Sequence, residues 1–378
     1  MMLRSLSLLL VACGSAGLLL AEEPPPLQLK WRGSLWALGT YTDHETVDGS
    51  AFLRPMETGD RQFSLDGFQL GVDVPLGEEW AFKVTLMGGR DGRLLQEFSG
   101  ETGSLGVPEA MLIWTHGADT LKIGRMWTWM GTESTDLTAA TPASHGLMAT
   151  FPLPFGQVGL DWRHAWSPSW STAVWLFNGE DRLADNNRGK TLGLGLIYNH
   201  EGASDRFMNF MAFSGAEQDR AEPGAEGRKR ERISQNGQWV WGAATIAWEL
   251  EYLRERFPAG AVANAEGETT GRMFGAGLLG RYAWNPTWSG YARAEEVRDD
   301  LGFRLNWDPT VASAYGMRSG ADLTARAFSL GVERRSGAAF LRLEFRRDWL
   351  NREVLDRDGN TFRAVNGLTL CVGASFGQ

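Results

Sequence analysis

The sequence predicts an all-β fold, a transmembrane antiparallel β-barrel of about 16 strands with short turns at one end and long loops at the other. Three observations indicate it. Short segments of alternating polarity recur along the chain, the connections between them alternate in length, and tryptophans gather beside the short connections. Beyond the first 20 or so residues, no stretch stays apolar for the ~20 residues that a membrane-spanning helix needs.

Sixteen segments have the composition and length of strands. They are residues 27–41, 64–74, 80–89, 109–115, 120–125, 156–166, 170–177, 191–199, 206–213, 232–239, 244–254, 271–283, 288–297, 323–334, 339–349 and 365–376. In a typical one, Leu70 and Val72 alternate with Gln69 and Asp73. Because successive side chains of a strand point to opposite faces, the apolar set is expected to face lipid and the polar set the lumen. Segments 170–177 and 206–213 are apolar on both faces, so the pattern does not orient them.

The connections favour a membrane barrel over a soluble β-sandwich. Long loops occupy residues 42–63, 90–108, 126–155, 178–190, 214–231, 255–270, 298–322 and 350–364. Short turns lie between them, for example 75–79, 117–119 and 336–338. A sandwich has no reason to sort its loops by length in this way, whereas an outer-membrane barrel has short periplasmic turns and long extracellular loops.

Seven tryptophans lie within a few residues of a short turn. They are Trp80, Trp166, Trp170, Trp239, Trp241, Trp284 and Trp288. A tryptophan at such a position can keep its ring in the apolar layer and its N–H in water. The alternative is that these are ordinary core tryptophans.

The N-terminus has the layout of a secretory signal peptide. Arg4 is followed by a charge-free apolar stretch, 5–20, and Ala21 precedes an acidic, proline-rich segment. We predict a signal peptide of residues 1–21 and a single barrel of residues 22–378, exported to the outer membrane of a Gram-negative cell. A lipoprotein cleavage box ending at Cys13 ranks second, and an uncleaved membrane anchor is the remaining alternative.

Composition argues against several classes of protein. The chain has 37 Lys+Arg against 46 Asp+Glu, a net charge of -9, so it has no general positive field for nucleic acid. Its 2 cysteines cannot build a disulfide framework or a multi-cysteine zinc site. Loss of residues 1–21 would leave Cys371 as the single cysteine.

Three motifs resemble enzymatic or metal-binding sites but lie in the wrong context. Residues 275–280 match GxGxxG inside a predicted strand, and 373–377 match GxSxG one residue before the chain ends. Residues 356–360 resemble the start of a calcium loop without its final glutamate. The five histidines have no metal-ligand spacing: His44, His116, His145, His164 and His200. We therefore expect no enzyme activity, no catalytic residue, no cofactor and no metal.

Charged residues on the predicted lumen face are the candidate pore-lining set. They are Arg163, Arg293, Glu295, Arg342, Glu344, Arg346 and Asp348. Opposed charges on a water-filled wall pair across strands and set a transverse field. The alternatives are purely structural pairing and the solvated face of a soluble sheet.

The loop 126–155 is the candidate constriction. It contains Trp127, Trp129 and Phe151 with the carboxylates Glu133 and Asp136. An exposed loop is rarely this apolar. We expect it to fold into the lumen, where its carboxylates would face the arginines.

Four blocks of sequence resemble a known family. They are residues 124–133, 178–191, 293–304 and 342–348. Their order is similar to that of β-barrel outer-membrane porins of the OmpL-like porin-2 group. Residues 142–145 depart from the Tyr-Ser-x-Ser run of that family.

The resemblance and the residue patterns together predict a porin for passive diffusion of small hydrophilic solutes or ions. Its expected partners are outer-membrane lipid and these solutes, with a homotrimer by analogy. A sugar-selective channel whose loop aromatics bind the rings is one alternative. A plugged barrel acting as an outer-membrane enzyme or adhesin is another.

Overall fold

A computed structural model describes residues 28–46, 49, 51–57, 61–98, 103–218, 228–262, 266–316 and 319–377. The predicted signal peptide, residues 1–21, lies outside the described residues.

The described chain forms a closed barrel in which each strand pairs antiparallel with its sequence neighbours and β1 pairs with β16. The strands are β1 (Lys30–Thr42), β2 (Gln62–Pro75), β3 (Trp80–Gly88), β4 (Leu105–His116), β5 (Asp119–Trp127), β6 (Gly156–Ala165), β7 (Trp170–Glu180), β8 (Thr191–Asn199), β9 (Phe207–Ala216), β10 (Lys229–Trp241), β11 (Ala244–Phe257), β12 (Thr269–Ala283), β13 (Trp288–Asp299), β14 (Leu323–Ser336), β15 (Ala339–Leu355) and β16 (Thr361–Phe376). The predicted barrel of 16 strands is confirmed.

The alternation of polarity sets the two faces of each strand. On β15, Leu341, Leu343 and Phe345 are exposed on the outside, and Arg342 and Glu344 between them are buried inside. Closure of the barrel pairs the backbone groups of every strand edge, which a sheet in lipid requires.

The two ends of the barrel differ in their connections. At the short-turn end, Gly117, Gly242 and Gly337 have φ of 57°, 57° and 56° and begin two-residue turns. This left-handed conformation suits the turns of tight hairpins and is available to glycine without a Cβ clash. Trp166 and Trp284 are exposed in the four-residue connections 166–169 and 284–287 at the same end. We refer to the opposite end as the long-loop end.

In the described part of the chain, three α-helices occupy long loops that the sequence patterns leave without structure. They are α1 (Gly89–Phe98), α2 (Leu147–Thr150) and α3 (Pro309–Tyr315). Asp308 caps α3, because its carboxylate accepts hydrogen bonds from the backbone N–H groups of Thr310 and Val311. None of the helices in the described part of the chain is long and apolar enough to cross a membrane.

An apolar core lies inside the barrel toward the long-loop end. Phe52, Phe151 and Leu305, all from loops, pack there against the inward-facing strand residues Leu253 and Met273. Each of these side chains is at most 1% exposed. The loops therefore fill this half of the lumen on the β11–β16 side, and the candidate site lies against their inner surface.

Candidate functional site

The segment between β5 and β6 crosses the lumen, and we call its residues 128–155 the crossing loop. The Ser34 hydroxyl of β1 donates to Asp136 Oδ2 at 2.6 Å. On another side of the barrel, Asn236 Nδ2 of β10 donates to the Gly131 carbonyl at 2.6 Å. The loop therefore spans the interior between opposite walls.

Arg293 on β13 connects the barrel wall to the crossing loop. Its Nη1 lies 2.7 Å from Glu133 Oε2 and donates to the Ser144 carbonyl at 2.9 Å. Its Nε lies 3.2 Å from Glu295 Oε2 on the same strand. The Arg293 side chain is only 4% exposed, so these charge pairs operate with little water around them.

The alternating charged residues of β15 also contact loop residues inside the barrel. Arg346 Nη2 lies 2.7 Å from Asp348 Oδ1, and Arg54 Nε lies 2.9 Å from Asp348 Oδ2. Glu344 accepts hydrogen bonds from the Ser144 hydroxyl and, at 3.2 Å, from the Ala143 N–H. Arg346, Asp348 and Glu344 are 0% exposed, so in this structure they face the loops and not open solvent.

Arg342, nearer the short-turn end of β15, also contacts the crossing loop. Its Nε lies 2.8 Å from Glu333 Oε2, and its Nη1 donates to the carbonyls of Leu137 and Pro142 at 2.5 and 3.1 Å. Six charged residues of the predicted pore-lining set, all on β13 and β15, thus form one cluster in the structure. Glu133 of the crossing loop belongs to the same cluster.

The other two candidate residues lie apart from this cluster. Asp136 is bound to Ser34 and also accepts from the Thr138 N–H at 2.8 Å, so it shapes its own turn. Arg163 is on β6, with its Nε 3.2 Å from Asp161 Oδ1 and its guanidinium 5.8 Å from the ring centre of Trp129.

Burial changes the proton affinity of loop residues beside this cluster. Burial raises the pKa of Glu133 to about 7, although Arg293 opposes the shift. Burial raises the pKa of Glu57 to about 7 as well, against the opposing effect of Arg54. The pKa of His145 falls to about 4, because burial disfavours its charged form. Near neutral pH, the negative charge of the crossing loop therefore depends on pH.

A cavity of about 380 Å³ lies between the crossing loop and the wall of β1–β4. Arg32, Lys83 and Glu109 line it from the wall, and Glu133 and Asp136 line it from the loop. Its wall residues are absent from the pore-lining set that the sequence predicts. The available signal was the position of each on the polar face of its strand.

Four cations form one inward-facing arc, which we call the basic wall. They are Arg32, Lys83, Lys122 and Arg163. Their side chains are 19–29% exposed, whereas the partner carboxylates Glu109 and Asp161 are 7% and 0% exposed. Lys83 Nζ lies 3.1 Å from Glu109 Oε1, and Lys122 Nζ lies 3.8 Å from Asp161 Oδ2. The cations therefore cover these two carboxylates, whereas a third partner, Asp73, lies 3.5 Å from Arg32 Nε and is 40% exposed. Four cations against three carboxylates leave a net positive charge on this side of the lumen.

A family model described as "Putative beta-barrel porin-2, OmpL-like" matches residues 28–376. A comparison with curated proteins gives no match. The matched residues include every strand of the barrel.

Solved outer-membrane proteins have a similar fold. The channel DcaP of Acinetobacter baumannii is 11% identical, with a TM-score of 0.61 over 93% of this chain and 97% of that chain. An anion-selective porin from Comamonas acidovorans is 10% identical, with a TM-score of 0.58 over 93% and 100%. The trimer form of in-vitro folded OmpT of Vibrio cholerae is 12% identical, with a TM-score of 0.58 over 93% and 99%. At these identities the likeness concerns the fold.

Proposed function

The chain belongs to the OmpL-like porin-2 family of outer-membrane β-barrels, and on that premise we propose that small hydrophilic solutes or ions diffuse past its basic wall. It is an outer-membrane porin, and the proposal concerns the route and the solute. The cavity between the crossing loop and β1–β4 carries the proposal, because charged groups line it from both sides. Charged side chains around a narrow passage select solutes by size and by electrostatic barriers.

The candidate residues divide between two roles in this proposal. Glu133 and Asp136 border the passage opposite Arg32 and Lys83. The charged residues of β13 and β15 hold the loop that narrows the passage: Arg293, Glu295, Arg342, Glu344, Arg346 and Asp348. Arg163 continues the basic wall toward the short-turn end. None of these roles involves a catalytic step.

Single-channel recording in a planar bilayer with a salt gradient tests the proposal. We expect ohmic conductance steps and, in the variant Lys83→Gln, a reversal potential shifted toward cations, because a lumen cation is lost. Arg334→Gln is the matched control, since Arg334 is exposed at the short-turn end of the outer face of β14. Inserted protein without conductance would contradict the channel route. Equal shifts in the two variants would contradict the role of the basic wall.

A sugar-selective channel is the second candidate, and the lining of the cavity favours it. Trp127 and Asp136 both line the cavity, so it offers a sugar an aromatic residue and a carboxylate that can accept hydrogen bonds from its hydroxyls. Trp129 is less suited, since its ring stacks on Trp175 with centroids 5.0 Å apart. Sugars that block the ion current of the wild type but not of Trp127→Ala would support this candidate.

We infer two further properties of the mature protein. Residues 1–21 are removed as a signal peptide, which the N-terminal mass of the membrane-extracted protein would test. The barrel assembles as a homotrimer, a state supported by the trimer form of the similar Vibrio cholerae protein. Light scattering in detergent, corrected for bound detergent, would give the number of chains.

A further inference from the structure

Exposed arginines project outward from one side of the barrel at its long-loop end. They are Arg254, Arg256, Arg272, Arg298, Arg326 and Arg347, on strands β11–β15. By contrast, the sequences of β7, β8 and β9 contain no lysine or arginine. The positive charge of the outer surface at this end is therefore one-sided.

The position of Arg326 relative to the apolar belt places it at the membrane surface. On the outer face of β14, Arg326 and Arg334 flank Phe328, Leu330 and Val332. Eight residues of a strand tilted by about 40° rise roughly 20 Å along the barrel axis, close to the ~25 Å height of the apolar band of such barrels. The two arginines thus lie near opposite headgroup levels.

An apolar trough begins directly beneath Arg326. Its upper part, of about 500 Å³, is formed where Ala276 of β12 and Ala294 of β13 lie between the larger Leu250 of β11 and Phe328 of β14. Its lower part, of about 730 Å³, continues along the same strands. Residues lining the lower part include Gly280, Gly290, Ala292, Leu330, Leu343 and Phe345. Small side chains on β12 and β13 therefore leave a depression that runs from the arginines down the lipid-facing wall.

The head of the trough carries excess positive charge. Arg298 Nε lies 2.6 Å from Glu296 Oε1, and Arg326 also pairs with Glu296. One carboxylate cannot neutralise two guanidinium groups, whose side chains are still 61% and 46% exposed. Arg347 adds a third cation one strand away, beside Phe328 in the register of β14 and β15.

We propose that Arg298, Arg326 and Arg347 bind the phosphate of an anionic lipid whose acyl chains occupy the trough. Guanidinium groups donate paired hydrogen bonds to phosphate oxygens, and a positive cluster at headgroup level attracts anionic lipid. Charge complementarity favours lipid over a second copy of this chain. Strands β1–β9 present no outward-facing carboxylate at the long-loop end that could meet these arginines.

Native mass spectrometry of the protein in neutral detergent tests the proposal with two probes, dioleoyl phosphatidic acid and dioleoyl phosphatidylcholine. We expect wild type to retain phosphatidic acid in about tenfold preference, since each surface arginine adds to the attraction of anionic lipid. The triple variant Arg298→Gln, Arg326→Gln, Arg347→Gln should lose the preference. Arg334→Gln should keep it, because Arg334 projects from the same strand at the opposite level.

A second variant separates the trough from its charged head. Ala294→Phe fills the upper trough and leaves the three arginines in place, so it should reduce retention of phosphatidic acid. Heat-modifiable migration on gels verifies that each variant is a folded barrel. Equal retention of both lipids by wild type would overturn the proposal. A triple variant that keeps its preference for phosphatidic acid would also overturn it. The same holds if wild type binds neither lipid and the triple substitution instead changes the mass of the oligomer.

Discussion

Replacement of Arg293 by methionine tests whether buried ion pairs hold the crossing loop. Arg293 lies 2.7 Å from Glu133, donates to the Ser144 carbonyl at 2.9 Å and lies 3.2 Å from Glu295. Methionine fills much of the same volume but provides no charge and no donor. Arg293→Met therefore leaves two carboxylates in a site where the arginine was 4% exposed.

The expected loss of stability is large because the remaining charges stay buried. Removal of one partner from a buried pair costs about 3–5 kcal/mol. The matched substitution Arg163→Met removes a lumen arginine that is 28% exposed. Its partner Asp161 is 0% exposed but keeps a second cation, Lys122 Nζ at 3.8 Å, so the substitution does not leave that carboxylate unpaired and the expected loss is smaller than for Arg293.

Equilibrium unfolding in urea, with the protein folded in detergent micelles, measures both variants through tryptophan fluorescence. We expect Arg293→Met to unfold at a clearly lower urea concentration than wild type, and Arg163→Met to unfold close to it. Addition of Glu133→Gln to Arg293→Met should recover part of the loss, because one of the two abandoned charges is removed. Equal midpoints for Arg293→Met and Arg163→Met would refute the assignment of Arg293 as a buried anchor.

Three further measurements examine the passage, the wall and its cysteine. Because burial raises the pKa of Glu133 to about 7, the passage loses a negative charge as pH falls below 7, and the reversal potential should move toward anions; Glu133→Gln should remove this step. Gly124 has φ 136°, and an added Cβ would lie 2.2 Å from the Ala110 carbonyl oxygen, so Gly124→Ala should cost more than about 1 kcal/mol in the same urea assay. Cys371 is 0% exposed, so a maleimide should label it only after unfolding, and rapid labelling of the folded barrel would contradict its burial.

Most of the fold is predictable because local sequence patterns determine the strands of a barrel wall. Alternation along each strand fixes its two faces, and turn residues fix its ends, so the sequence alone predicts all 16 strands of the described barrel. The sequence pattern does not orient β7 and β9, and the reason is a contact between residues far apart in sequence. Their inward residues Trp175 and Phe213 are apolar because they pack in a cluster with Met130 of the crossing loop. The alternation of polarity along a strand cannot reveal that contact.

The site was predictable in part. The aromatic residues of 126–155 indicated an inward loop, but nothing in the segment states which wall it meets. That choice depends on contacts such as Arg293 with Glu133, which are 160 positions apart in sequence. Three of the four residues of the basic wall, Arg32, Lys83 and Lys122, are absent from the predicted set for another reason, since three different strands contribute them. Only the closed barrel makes them neighbours.

The comparison of β15 with the basic wall suggests how charge density relates to exposure in this lumen. Strand β15 carries Arg342, Glu344, Arg346 and Asp348 at every second position, and all four are 0% exposed. Dense alternation of opposite charges gives each group a partner, which burial requires because an isolated buried charge is costly. Lys83, with no second charge on the same face of its strand, remains 29% exposed. The alternating charges of β15 therefore correspond to the anchor of the crossing loop, and the more exposed cations of the basic wall are the ones that the proposed route brings into contact with a solute.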